Sequence, residues 1–234
     1  DAAYRCGECK DEYRDALSIE LLSARLQAER TDGQARNSTL STLAWELQAQ
    51  GKYDEAEPLS REVLEVRRET LGSRHPNTLT SINNLGALLY TKGDLDAAEP
   101  LYREALEVQR ETLGNRHPLT LTSINNLSML LKDKGKYDEA EPLLREALEV
   151  LRATLGSRHA HTLGSINNLG LLLQEKGDLA ATEPLLRGAL EVRRETLGSR
   201  HPDTLGSINS LGALMYDKGD LAAAEPLCRE ALEV

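Results

Sequence analysis

Phenylalanine is absent from these 234 residues, tryptophan occurs once, and aromatic residues make up only 3%. The composition is skewed toward aliphatic side chains, and Leu alone supplies 44 residues. Long apolar runs are missing as well. None approaches the roughly 20 residues that a bilayer-spanning helix needs, which argues against a membrane protein. Three cysteines cannot make a disulfide framework, so a reducing compartment, and with it a cytoplasmic location, is expected. Positive charge is in deficit: 28 Lys and Arg against 38 Asp and Glu leave −10, which argues against a nucleic-acid backbone as partner. The sequence has no Walker, HExxH or GxSxG motif, so there is no catalytic constellation, no metal site and no implied cofactor. With 40% hydrophobic and 28% charged residues the chain is nevertheless no disordered polyampholyte. No secretory signal is visible, and a chain that opens on Asp1 rather than Met reads as a piece of a longer or processed protein.

What the chain has is a repeat. Gly51, Gly93, Gly135, Gly177 and Gly219 stand 42 residues apart, as do Pro58, Pro100, Pro142, Pro184 and Pro226, and His75, His117, His159 and His201 keep the same step. This divides the chain into five units, 33–74, 75–116, 117–158, 159–200 and a truncated 201–234. Residues 1–32 precede them as an N-terminal extra helix or cap, with 11–30 resembling a degenerate second half of a unit. So regular an array predicts a solenoid in which each repeat packs on its neighbours.

Each unit reads as two helices. Ile82, Leu85, Leu88 and Leu89 recur at three- and four-residue spacing and make one apolar stripe. Thr78 is expected to cap this first helix, and Lys92 followed by Gly93 to end it. The second helix carries Leu95, Ala98, Leu101, Tyr102, Ala105, Leu106 and Val108 and runs to about Leu113, with Gly114 as terminator. Pro100 falls within its opening turns, at the loss of at most one backbone bond. Strand alternation appears nowhere, and the fold class is all-α.

The column order Leu85-Gly86, Leu89, Gly93, Leu95, Ala98, Tyr102, Ala105 resembles the tetratricopeptide repeat, in which small residues let two helices approach closely. The 42-residue unit, with its NNLG, KGxLxxAEPLxREALEV and LGxxHPxT segments, is similar to the longer repeats of kinesin light chains, and the resemblance covers residues 33–234. It implies a right-handed superhelical solenoid of antiparallel helix pairs and a concave groove, lined by the first helices, that binds proteins or extended peptides.

Differences among the copies point to a working surface. Asn77, Leu119, His161 and Asp203 share one column, and Thr80, Thr122, Gly164 and Gly206 the next. Further along come Ala87, Met129, Leu171 and Ala213 with Trp45 in the first copy, then Tyr90, Lys132, Gln174 and Tyr216, then Thr91, Asp133, Glu175 and Asp217. These offsets lie on one face of the first helix, the face that lines the groove in the resembled family. The alternative is drift on a solvated face, and a second-helix column (Tyr102, Leu144, Leu186, Cys228) varies too. Asn83-Asn84, Asn125-Asn126 and Asn167-Asn168 repeat in full, while Asn209 is followed by Ser210. Two mid-helix asparagines cost helix propensity, yet an amide offers donors and an acceptor that suit a peptide main chain. One groove role and one packing role per pair is expected.

The remaining signals are weaker. Cys6 and Cys9 form a single CxxC, half of a zinc site, and read as incidental thiols. The four repeated histidines are too far apart for one metal ion and suit loop or helix-start roles. Trp45 either anchors a ligand or packs on the N-terminal helix. Lys92, Lys134, Lys176 and Lys218 could turn into the groove, but Asp133, Glu175, Asp217 and the net charge disfavour strongly acidic peptides. The functional expectation is a non-catalytic protein- or peptide-binding module. A rigid spacer, or a segment that self-associates through its truncated array ends, is the alternative.

Overall fold

The computed structural model describes residues 18–24, 26 and 33–232. Residues 18–24 are helical; the remainder of the expected 1–32 cap, with Cys6 and Cys9, lies outside the described residues. From residue 33 onward come ten helices: α1 (Gly33–Ala49), α2 (Tyr53–Leu71), α3 (Pro76–Lys92), α4 (Leu95–Leu113), α5 (Pro118–Asp133), α6 (Tyr137–Leu155), α7 (Ala160–Glu175), α8 (Leu179–Leu197), α9 (Pro202–Asp217) and α10 (Leu221–Leu232). No strand occurs among the described residues. The chain forms two compact units, residues 1–112 and 113–234. In the first, α2 packs on α1 and α3; in the second, each helix from α5 to α10 packs on the next, and α7 also touches α9.

Local chemistry accounts for the punctuation. Gly93 adopts φ 91°, and its N–H closes α3 on the carbonyls of Leu89 and Tyr90. The start differs from the expected Thr78 cap. His75 is the capping residue, its Nδ1 accepting from the Asn77 N–H at 3.1 Å. His117, His159 and His201 do the same for Leu119, His161 and Asp203. The helix thus begins three residues earlier than a Thr78 cap would place it, and the imidazole cap is the common cause, since His159 caps its helix in the same way with Ala160 where the other copies have proline. Thr78 is instead buried and donates to the Arg67 carbonyl of the preceding helix at 3.3 Å. Pro58, Pro100, Pro142, Pro184 and Pro226 all sit inside their helices, as the sixth residue of each.

The apolar stripes meet as their spacing requires. In the first unit Leu79, Ile82, Leu85, Leu88 and Leu89 are buried on α3, and Ala98, Tyr102, Ala105 and Leu106 on α4. In the second unit the final cluster joins Leu186 and Leu190 of α8 to Ile208, Leu211, Leu214 and Met215 of α9 and Ala224 of α10. Small residues set the helix separation. A Cβ at Gly86 would lie 2.8 Å from Tyr102 Cε1, and one at Gly170 would lie 2.7 Å from Leu186 Cδ2. Tyr102, Leu144 and Leu186 of the varying second-helix column are therefore interior packing, whereas Cys228, its fourth member, is exposed.

Charged pairs stitch successive helices. Lys92, at the end of α3, reaches Asp54 at 2.6 Å and Glu57 at 2.9 Å near the start of α2. Lys176 does likewise with Asp138 and Glu141, and Lys218 with Glu183. These three lysines are therefore each engaged by the helix that precedes their own. Hydrogen bonds from lysine, then from Arg61, Arg145 or Arg187 one turn along, hold the carboxyls of Glu57, Glu141 and Glu183 below the usual range. A depressed folded pKa gives stability that is complete above the unfolded value, about 4.3, and is lost as pH falls through the folded one. Melting temperature should thus fall on acidification below about pH 5. A Glu57→Gln/Glu141→Gln/Glu183→Gln variant should show a shallower fall; an unchanged slope would mean that other carboxylates carry it.

Candidate functional site

Each first helix presents two polar edges. In the first unit, Ser41, Trp45 and Gln48 of α1 face Thr80, Asn84 and Ala87 of α3 across a cleft of roughly 320 Å³, with Ser60, Val63 and Arg67 of α2 as its floor. Ser41 of α1 thus faces the following repeat, and Asn84 of α3 the preceding one. In the second unit, Asn125 lines a cleft of about 570 Å³ with Thr122 of α5, Leu151 and Thr154 of α6, and His159 and His161 at the start of α7. A third cleft, of about 630 Å³, is lined by Asn209, Ala213 and Tyr216 of α9 and by Leu221 and Cys228 of α10.

The expected groove residues divide by environment. Trp45 is 64% exposed, Tyr216 67% and Met129 43%, so none of the three is consumed by the core. Ala87, Tyr90 and Leu171 are half-buried. Lys132 and Gln174 are engaged with their neighbours: Lys132 Nζ lies 2.9 Å from Glu175 Oε1, and Gln174 Nε2 donates to Asp217 Oδ2 at 2.6 Å. Two of the varying columns therefore bond to each other across successive repeats, so part of their variation is pairwise matching. Burial lowers the Lys132 ammonium pKa, and bonds to Glu175 and Asp133 outweigh that, leaving it above the ordinary range.

The asparagines also separate into two sets. Asn83 is half-buried and donates to the Leu79 carbonyl one turn back at 3.2 Å, whereas Asn84 is exposed in the cleft. Asn126 and Asn168, its equivalents in the later copies, are half-buried. Asn125 Oδ1 and Asn167 Oδ1 are buried without a hydrogen-bond partner. Those two oxygens are acceptors that the protein itself leaves unused.

Sequence reasoning missed one column. Arg67, Gln109, Leu151 and Arg193 recur at 42-residue steps on the second helix. A basic side chain recurring beside an apolar stripe was the available signal. Arg67 donates to Ser81 Oγ at 2.6 Å, and Arg193 donates to Ser207 Oγ. Where Leu151 stands instead, Ser165 Oγ is buried without a partner, and Gln109 is 1% exposed with both amide atoms unpartnered. An unsatisfied buried polar group costs about 1–3 kcal/mol. Ser165→Ala and Gln109→Leu should accordingly leave stability unchanged or raise it by up to about 1 kcal/mol, while Ser207→Ala strips Arg193 of its acceptor and should cost about 1–3 kcal/mol. Denaturant midpoints of the three variants check this; equal losses at Ser165 and Ser207 would contradict it.

Among the described residues no cluster of three metal-ligating side chains occurs, and no helix is long and apolar enough to cross a membrane. None of the curated proteins compared with this sequence matches it. Solved structures do. A Podosopora anserina protein, described as a kinesin light chain with nearly identical TPR-like repeats, is 27% identical. The match covers 87% of this chain and 96% of that one, with a TM-score of 0.77. BtubC (BKLC) from P. vanneervenii is also 27% identical, over 94% of this chain and 88% of its own, with a TM-score of 0.75. A tetratricopeptide repeat protein from Parabacteroides merdae shares the fold at 17% identity, over 99% of this chain and 77% of its own, with a TM-score of 0.70. The tetratricopeptide repeat family matches residues 36–111, 83–153 and 160–234. Such repeats generally mediate protein–protein interaction. Paired helices crossing at small residues, a 42-residue period and these matches together establish that the chain belongs to the tetratricopeptide repeat family, with repeats similar to those of kinesin-light-chain proteins.

Proposed function

We propose that the chain is a non-catalytic recognition module that binds an extended peptide or protein segment along the edges of its first helices. Its five units at 33–74, 75–116, 117–158, 159–200 and 201–234 supply successive subsites, and residues 1–32 cap the array. The observation that carries this reading is the pair of unpartnered amide oxygens of Asn125 and Asn167, which lie beneath the surface and reach a ligand by rotation of the side-chain amide. With Asn83, Asn84, Asn126, Asn168 and Asn209 they form a ladder suited to peptide N–H and C=O groups. Exposed Trp45, Met129 and Tyr216 supply apolar contacts beside it. The reading places the module in a reducing, cytoplasmic setting, with no nucleic-acid or membrane partner.

The Asn125→Ala/Asn167→Ala variant tests it. Each lost ligand bond should weaken binding of a peptide selected on the wild-type chain by about 0.5–1.5 kcal/mol, while the ligand-free melt stays level or rises slightly because Ala is the better helix former. A fall of several degrees in the ligand-free melting temperature would make these asparagines scaffold instead. A second reading, self-association, draws on Leu221 at 60% and Leu232 at 86% exposure on the last helix. Sedimentation that depends on concentration, with no peptide bound, would favour it.

A further inference from the structure

Successive second helices are joined by a charged pair that recurs with the repeat, and one junction lacks it. Arg68 of α2 donates from Nη2 to both carboxylate oxygens of Glu104 on α4 at 2.7 Å. Arg194 of α8 donates to Glu230 of α10 at 2.5 Å. Arg152 of α6 holds the matching position, but its partner column, which reads Glu62, Glu104, Glu146 and Glu230 in the other copies, is Gly188 on α8. Arg152 makes no ion pair among the described residues. A Cβ at Gly188 would meet nothing within 4 Å, so the absent side chain leaves open space. Arg152 edges a cleft of about 420 Å³ formed by α6 and α8, with Leu148 and Leu169 buried beneath it and Leu185 half-buried at its side. Its other arginine, Arg145, is already paired with Glu141 at 2.8 Å. A second acid is missing from the same cleft, because Ala153 stands where other copies have Glu69, Glu111 and Glu195. Stability of the repeat does not explain Gly188, since glycine in mid-helix costs helix propensity.

We propose that the cleft between the second helices α6 and α8 docks a segment of a partner protein that supplies the absent glutamate, one acidic side chain going to Arg152 and an adjoining aliphatic side chain to Leu185. This surface is separate from the first-helix clefts, and the inference does not rest on the peptide-binding reading above. Charge complementarity carries it. At the sister junctions the same arginine takes a carboxylate from the next repeat, so only the internal carboxylate has been removed here and the guanidinium that receives it is kept. A guanidinium fork takes a carboxylate in two-point fashion, and apolar contact beside the pair keeps water from competing for it. Glu149, also in the lining, stands one turn before Arg152. A second acid on the partner would meet that like charge, so the site selects a single one.

Selection of a random peptide library on the full chain, with counter-selection against Gly188→Glu, tests this. Gly188→Glu restores the residue of the other copies and should fold, because helix propensity improves and the added side chain has room. Surviving peptides should share one Asp or Glu beside an aliphatic residue. They should bind the wild-type chain and Gly188→Ala equally. Affinity should fall at least about tenfold, as expected for a charge-assisted bond, on Gly188→Glu, on Arg152→Gln, and when the peptide acid is changed to its amide. It should stay level on Asn125→Ala/Asn167→Ala, which separates this surface from the first-helix clefts. A counter-selection that no peptide survives overturns the proposal, whatever the first-helix clefts bind. Binding that persists in Arg152→Gln, is lost in Gly188→Ala, falls in the asparagine variant or needs only the peptide C-terminal carboxylate overturns it equally.

Discussion

Leu85→Ala will lower stability by about 2–5 kcal/mol, the range for deleting a buried leucine and leaving a cavity behind. Leu85 is 1% exposed in the middle of the α3 stripe, between Ile82 and Leu88–Leu89, which are equally enclosed. Removal of its methyl groups leaves space that neighbouring leucines, held by their own helices, can only partly fill. In a repeat array stability is close to a sum of local terms, so the loss should fall mainly on the first unit. Amide hydrogen exchange should therefore show protection in α2 and α3 collapsing before that in α7 to α9. Leu71→Ala is the matched control, because Leu71 is 44% exposed and its truncation should stay within about 0.5 kcal/mol. Similar losses at the two positions would show that the stripe is not the organising core.

Gly86→Val is the second large effect. The added Cβ lies 2.8 Å from Tyr102 Cε1, closer than real Cβ contacts allow, so the buried ring must shift to make room. Overpacking of this kind typically costs about 1–3 kcal/mol, only partly offset by the better helix propensity of a non-glycine residue. Partial rescue should come from adding Tyr102→Leu to Gly86→Val, since one repeat on a side chain at Ser128 is accommodated opposite Leu144. Tyr102 also reports on the contact, because burial, with a smaller effect from Tyr90, pushes its phenol up to about 12. The raised pKa gives stability that is complete below the ordinary tyrosine value and is lost as pH rises through about 12. Absorbance titration of Gly86→Val should show this phenol ionising closer to the ordinary value. An unshifted titration with unchanged stability would contradict the close approach.

The amino-acid sequence by itself determined the period, the helix class and the inward stripes. Spacing of Ile82, Leu85, Leu88 and Leu89 admits only one buried face, and Gly93 can take a left-handed conformation that other residues resist. The family was legible for the same reason, since near-identical copies repeat each packing constraint. Tertiary structure decided everything that depends on which residue of one repeat meets which residue of another. Thr78 looked like a cap by its type, yet it is turned into the junction with α2 while His75 caps. Tyr102, Leu144 and Leu186 vary from copy to copy as the first-helix columns do, yet they are interior, matched to the small residues of the preceding helix. Lys132 and Gln174 sit among the expected groove columns, but their partners, Glu175 and Asp217, lie 43 residues away. Arg67 went unnoticed because a charge beside an apolar stripe gains meaning only when its acceptors are known, and those come from α1 and α3. Periodicity within a helix is local and can be read along the chain, whereas the pairing of side chains across helices is set by packing distance and direction, which a linear sequence does not record.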